Sequence, residues 1–382
     1  MKRILAALSI LVLFAGCARE KREAAFEREM EAFRDSVGNV GMSVAVVKNN
    51  RLVYTHSFGL ADIDAGKPVT DASLFRIASI SKSFSATAMM QLIEAGKVSL
   101  DTDVSDLAGF PIRNPGWPDT VITLEMLLSH TSSINDSQGY FSLDPINPAT
   151  NPDWAKCYNA YEPGKGYEYC NLNYNLTGTF IEKLSGERFD QYIVHHVLDP
   201  LGLYGGYCVD SLDASRFAKL YSTDPDNGSV NGEMVESKNA YNPNSERIRQ
   251  YRTGWDTPVF SPTGGMKITA GDLAKYMMMH MNYGTSPKGV RIMDETLARS
   301  MQTPRSAEEN YGMALWVDEG TMVPGVRLVG HTGGAYGLRS VMFFDPEKKY
   351  GFVMISNGAR DNSNGRLIAG TLRRMYDAFI KE

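Results

Sequence analysis

The sequence predicts an α/β chain in which an antiparallel sheet, flanked by helices from both chain ends, is interrupted by a large, mostly helical insertion. Three observations lead there. Pairs of apolar runs joined by turn residues occur near each end, segments outside them carry an apolar stripe at helical spacing, and the middle is patterned for helices. Sheet material would occupy about 18–78 and 266–382, and the helical part about 79–265.

In chain order, residues 1–17 read as an export signal. Lys2 and Arg3 precede an apolar run from Ile4 to Phe14, which is shorter than the ~20 residues that span a bilayer. Ala15, Gly16 and Cys17 follow, and the segment resembles a bacterial lipoprotein signal. That resemblance implies lipidation of Cys17 and, with Ala18 next, an outer-membrane protein facing the periplasm. Phe14 stands where the pattern usually has Leu, and secretion without lipidation is the alternative.

Phe26, Met30, Phe33 and Val37 then line one helical stripe. Met42–Val47 and Leu52–Phe58, joined through Asn49 and Asn50, predict a hairpin. A helix is expected from Ser79 to Ala95, closed by Gly96, and a shorter one from Leu124 to His130, capped by Thr123. The polar stretch from Ser211 to Arg252 reads as surface loops. A strand from about Val326 carries His331-Thr332-Gly333-Gly334, and a second hairpin joins Ser340–Phe344 to Gly351–Ile355. Leu367, Ile368, Leu372, Met375, Phe379 and Ile380 form the stripe of a closing helix.

The 382 residues are 43% hydrophobic, enough for a large core, and the formal charge of −5 with no basic run argues against a nucleic-acid partner. Cys157, Cys170 and Cys208 remain after Cys17. Their spacing fits no zinc site, and a disulfide between Cys157 and Cys170 is possible, with Cys208 an equal candidate for either partner. His195 and His196 are adjacent and expected to point apart on a helix surface. There is no G-x-S-x-G, H-E-x-x-H, P-loop or G-x-G-x-x-G, and no cofactor is implied.

Three short elements occur once each. In Ser79-Ile80-Ser81-Lys82 a lysine three residues after a serine shares its helix face and reaches back to the hydroxyl, where a neutral amine takes a proton. In Tyr169-Cys170-Asn171 a phenol and an amide offer a proton carrier and a donor–acceptor for a substrate amide. In His331-Thr332-Gly333 and Gly334, paired glycines let a ligand lie along the strand as an added strand would.

In this order the three resemble the class C β-lactamase and DD-peptidase family of serine hydrolases. The likeness runs from about Gly41 to Gly358 and includes Phe75-Arg76-Ile77-Ala78, Leu127-Leu128-Ser129-His130-Thr131-Ser132, Pro200-Leu201-Gly202-Leu203 and Ser261-Pro262-Thr263-Gly264-Gly265. It implies a β-lactamase/transpeptidase-like fold, with Ser79 as nucleophile and Lys82 and Tyr169 sharing proton transfer. By the same resemblance Asn171 holds the substrate amide, the N–H groups of Ser79 and Gly334 form an oxyanion hole, and His331 and Thr332 recognise a substrate carboxylate. Histidine at 331, in place of the lysine of class C β-lactamases, implies a peptidase or esterase. The expected activity is hydrolysis, through an acyl-enzyme, of an amide near a free carboxylate, in a small or peptidoglycan-derived peptide. An esterase is the first alternative and a non-catalytic peptidoglycan- or partner-binding protein the second. The expected associations are a substrate and a lipid anchor, with no protein partner implied.

Overall fold

The computed structural model describes residues 2–306, 308–361 and 363–381, with side chains from residue 19 on and excepting that of residue 364. The lipidation expected at Cys17 therefore lies outside the described side chains. Among the described residues no helix is long and apolar enough to cross a membrane.

Among the described residues twelve strands form three sheets. The main sheet holds seven, β1 (Gly41–Lys48), β2 (Arg51–Asp62), β3 (Lys67–Pro68), β9 (Trp316–Glu319), β10 (Arg327–Ala335), β11 (Leu338–Asp345) and β12 (Tyr350–Ser356), in the order β3-β2-β1-β12-β11-β10-β9. Every pairing is antiparallel, and β1 pairs with β12, joining the two ends of the chain as expected. The near-continuous apolar run of β1 is explained by burial on both faces. Met42, Val44 and Val46 point outward under the terminal helices Lys2–Ser36 and Ala369–Phe379, against Phe26, Met30, Phe33, Leu372 and Phe379. Ala45 and Val47 point inward against helix Ala270–Met281 and the helical part.

Two small sheets went unread in the sequence. β4 (Phe75–Arg76) and β5 (Gly205–Gly206) pair on either side of β8 (Lys267–Ile268). β6 (Tyr221–Ser222) pairs with β7 (Val235–Glu236) inside the polar stretch. Two-residue strands carry no periodicity to detect.

Four expectations are corrected. Ser79 does not open the α-helix: it lies in a 3₁₀ turn, Ala78–Ile80, and the helix runs Ser81–Glu94. The helix begun by Thr123 spans only Leu124–Leu128, because His130 takes a left-handed backbone (φ 61°) and turns the chain. Cys157, Cys170 and Cys208 are all free and buried, so no disulfide tethers Tyr169. His195 and His196 do not diverge: they sit in a π-helical turn, Val194–Leu198, and both reach Glu187, at 3.1 and 2.8 Å.

Candidate active site

The sequence-predicted residues converge where the first turn of helix Ser81–Glu94, the start of helix Asn171–Ser185 and strand β10 meet. Lys82 is fully buried, and its Nζ lies 3.2 Å from Ser79 Oγ, 2.9 Å from Asn171 Oδ1 and 3.0 Å from Thr263 O. Burial lowers its pKa from 10.5 to about 7, although Asp136 and Cys170 pull the other way. The contact set suits a neutral amine. Two partners are carbonyl oxygens, which can only accept, so they use both N–H groups and leave the lone pair for the Ser79 hydroxyl.

Asn171 can serve as an acceptor only because another residue orients it, and Asp136 does so. One Asp136 oxygen accepts from Asn171 N and Nδ2 (2.8 and 2.9 Å), the other from Leu172 N (2.9 Å) and the Cys170 thiol (3.2 Å). A carboxylate thus caps the positive end of helix Asn171–Ser185 and holds the amide with its oxygen towards Lys82. Thr263 donates to the same oxygen at 2.8 Å. Asp136 was missed in the sequence reading, and Thr263 was read only as part of the Ser261–Gly265 likeness, without a role. Neither lies in a motif with a spacing rule, and Asp136 meets helix Asn171–Ser185 only through the fold.

The Tyr169 hydroxyl is buried and turned towards Ser79, yet no partner among the described residues meets it at full hydrogen-bond geometry. Its ring centroid is 4.7 Å from Lys82 Nζ. Burial pushes the phenol pKa well up, so Tyr169 is protonated at neutral pH. His130 accepts from Cys170 N at 3.2 Å through Nδ1 and packs on Tyr169, 4.4 Å between centroids. Burial, with Lys82 and His331 nearby, holds His130 neutral.

His331 is 5% exposed. Burial first, and then Lys82, lowers its pKa to about 4. Its Nδ1–H donates to Thr332 O, which leaves Nε2 to accept from the Tyr311 hydroxyl at 3.0 Å. Both nitrogens are occupied and the ring is uncharged, so His331 does not offer a carboxylate the cationic partner the sequence suggested. Thr332 remains half-exposed in a cleft of about 210 Å³ lined mainly by Tyr167, Tyr169, Tyr311, Trp316 and His331. At Gly333 a Cβ would fall 2.3 Å from Ile77 O, and Ser340 Oγ donates to that carbonyl at 2.8 Å, so β10 lies directly against the Ser79 turn. Gly334, next along, is exposed. Non-glycine residues with positive φ gather here: Ala78 (46°), His130 (61°), Ser133 (63°), Ser261 (58°) and Tyr336 (53°). Such conformations persist only where the surroundings hold them, as around a working site.

Comparison with known proteins agrees with this fold. The family model described as Beta-lactamase matches residues 26–373. Penicillin-binding protein 4 of Amycolatopsis lactamdurans is 27% identical over 88% of this chain and 85% of its own length. Protein flp of Staphylococcus aureus (strain MRSA252) is 25% identical over 83% of this chain, which spans 59% of that relative. Among solved structures, the octameric penicillin-binding protein homologue from Pyrococcus abyssi superposes with a TM-score of 0.71 at 26% identity, covering 94% of this chain and 77% of that one. The D-amino acid amidase from Ochrobactrum anthropi SV3 gives 0.70 at 21% identity, covering 94% and 98%, a likeness of fold.

Proposed function

The chain belongs to the Beta-lactamase family, serine hydrolases of the β-lactamase fold, and from that premise we propose that it hydrolyses small amides or esters through an acyl-enzyme on Ser79. The observation that carries the reading is the buried Lys82 amine, with a pKa of about 7 and its one spare lone pair at the Ser79 hydroxyl. Lys82 accepts the Ser79 proton as Oγ bonds to the substrate carbonyl carbon. The tetrahedral oxyanion is held by the N–H groups of Ser79 and Gly334. Tyr169, kept protonated by burial, gives its proton to the leaving nitrogen or oxygen and recovers one from Lys82. Water then cleaves the acyl-enzyme with Lys82 again as base. Asn171 holds Lys82 and the substrate amide.

The amide reading, a peptidase of the D-amino-acid kind, draws support from relatives named penicillin-binding proteins and from the fold shared with a D-amino acid amidase. The esterase reading is favoured by one specific observation, the uncharged His331, since a neutral ester requires no cation on β10. Side-by-side assay of a D-Ala-D-Ala peptide, a p-nitrophenyl ester and a chromogenic cephalosporin distinguishes the readings, and turnover of the first is expected. Covalent labelling by a fluorophosphonate that persists in Ser79→Ala would overturn the mechanism. We further propose that the mature chain is anchored through Cys17; recovery of the wild type in the soluble periplasmic fraction would refute this.

A further inference from the structure

A second cavity, of about 310 Å³, opens beside the site and is unusual in its charge. Arg76, Arg247 and Lys267 line it together with Asn242, Asn244 and Tyr336, and no Asp or Glu lines it. Among the described residues none of these three basic side chains is in an ion pair. Lys267 is 3% exposed and donates only to Tyr207 O. The acidic groups nearest to it are engaged elsewhere, Asp190 with Arg188 and Asp210 with Asn244 N. Arg76 donates to Gly264 O and Ala240 O, and its guanidinium carbon lies 4.9 Å from the Tyr336 ring centroid. Lys267 is buried, Arg76 part-buried and Arg247 exposed at the rim; a charge held away from water without an anionic partner is costly, and a ligand that supplies the anion removes that cost.

Its position relates it to the reaction. Gly264 O takes Arg76, while Thr263 O, one residue earlier, takes Lys82, so the cavity and the serine lie on either side of one short stretch of backbone. The aromatic cleft containing Tyr169 adjoins His331 and Thr332 in the middle of β10, and the basic cavity begins at Tyr336, just past the C-terminal end of the strand. Tyr169 protonates the leaving group, which places that group in the aromatic cleft and leads the acyl part towards Tyr336. We propose that the Arg76–Arg247–Lys267 cavity is an acyl-side subsite that binds a carboxylate carried by the substrate. The inference rests on the hydrolase reading of Ser79, and it moves carboxylate recognition from His331 to the far end of β10. Burial and Arg76 push the Lys267 pKa well down, so a bound anion would draw a proton onto Lys267.

The test compares p-nitrophenyl half-esters of adipic and suberic acid with p-nitrophenyl hexanoate and octanoate, matched in chain length and differing in the terminal carboxylate. The wild type is expected to favour at least one half-ester by ~10-fold or more in kcat/KM. Arg247→Gln and Lys267→Met are each expected to reduce that ratio at least several-fold. A ratio near one at both lengths, or one that survives both substitutions, overturns the subsite while leaving the hydrolase reading intact. Absence of Ser79-dependent p-nitrophenol release would instead refute the hydrolase reading. The subsite is then decided by binding of the corresponding half-anilides to Ser79→Ala protein: preference for the carboxylate form, lost in Lys267→Met, supports it, and equal affinity rejects it.

Discussion

A lysine that is to take a proton must first be without one, and burial arranges this for Lys82. With a pKa of about 7, roughly half the amines are free at neutral pH, about a tenth one unit lower. Acylation should therefore rise with pH along a limb centred near 7 and level off above it. Because His331 titrates at about 4, a peptide bearing a carboxylate and a neutral ester should share that limb, with no further limb from His331. Profiles of kcat/KM for the two substrates check both points, and a limb peculiar to the carboxylate-bearing peptide between pH 5 and 8 that persists in Lys267→Met would contradict the buried, neutral His331. Lys82→Ala should cost at least ~10²-fold in acylation, the usual scale for losing a proton-transfer partner. Asp136 makes a second case. Its hydrogen bonds to N–H groups are those of a charged acceptor, worth ~1.5–3 kcal/mol each at most, so Asp136→Ala should lower both the melting temperature and kcat. Asp136→Asn should recover part of the melting temperature and less of the rate, since its NH₂ cannot accept from Asn171. Equal rates in wild type and Asp136→Ala would show that Asn171 does not depend on it.

At the scale of elements, the site depends on how closely β10 approaches the Ser79 turn. Gly333→Ala would drive a methyl group into Ile77 O, a backbone atom, and equally into Ser340 Oγ, which is held on that same carbonyl. The expected result is a loss of acylation of ~10²-fold or more, with lower thermal stability; fluorophosphonate labelling rates and melting curves measure the two, and undiminished labelling would contradict the contact. Elements were legible wherever periodicity extended over several residues. β1 and β2, β11 and β12, the helix after Ser79 and both terminal helices all stand close to their expected places. Element ends were less legible. His130 and Ala78 adopt left-handed backbones that neither residue type favours, so tertiary contacts, not local preference, set the end of one helix and the turn before another. The motif residues Ser79, Lys82, Tyr169, Asn171 and Thr332 were readable as a constellation. Asp136 was not, nor was the role of Thr263 within the Ser261–Gly265 stretch, because the partners that give them their roles lie 35 and 92 residues away in sequence.

For the molecule as a whole, the main sheet separates the two larger buried clusters among the described residues, and the candidate site lies on the side of only one of them. Phe26 and Met30 pack on the outer face, away from Ser79. Phe26→Ala should cost ~3–5 kcal/mol of stability in denaturant unfolding, the usual range for emptying such a site, with kcat for the folded enzyme preserved. A matching fall in kcat would show that the two faces are coupled. The fold class followed from strand material at both chain ends, since only a sheet closed by β1 and β12 brings the ends together. The three thiols carry a consequence of another kind. Cys157 donates to Pro145 O, Cys170 to Asp136, and Cys208 lies 3.9 Å from Asp210, all buried and none cross-linked. Nothing in the native state of the described residues thus needs an oxidant: the chain should fold as well under reducing as under oxidising conditions, dithiothreitol should leave its melting temperature unmoved, and a thiol reagent should find these three cysteines only once the chain has unfolded.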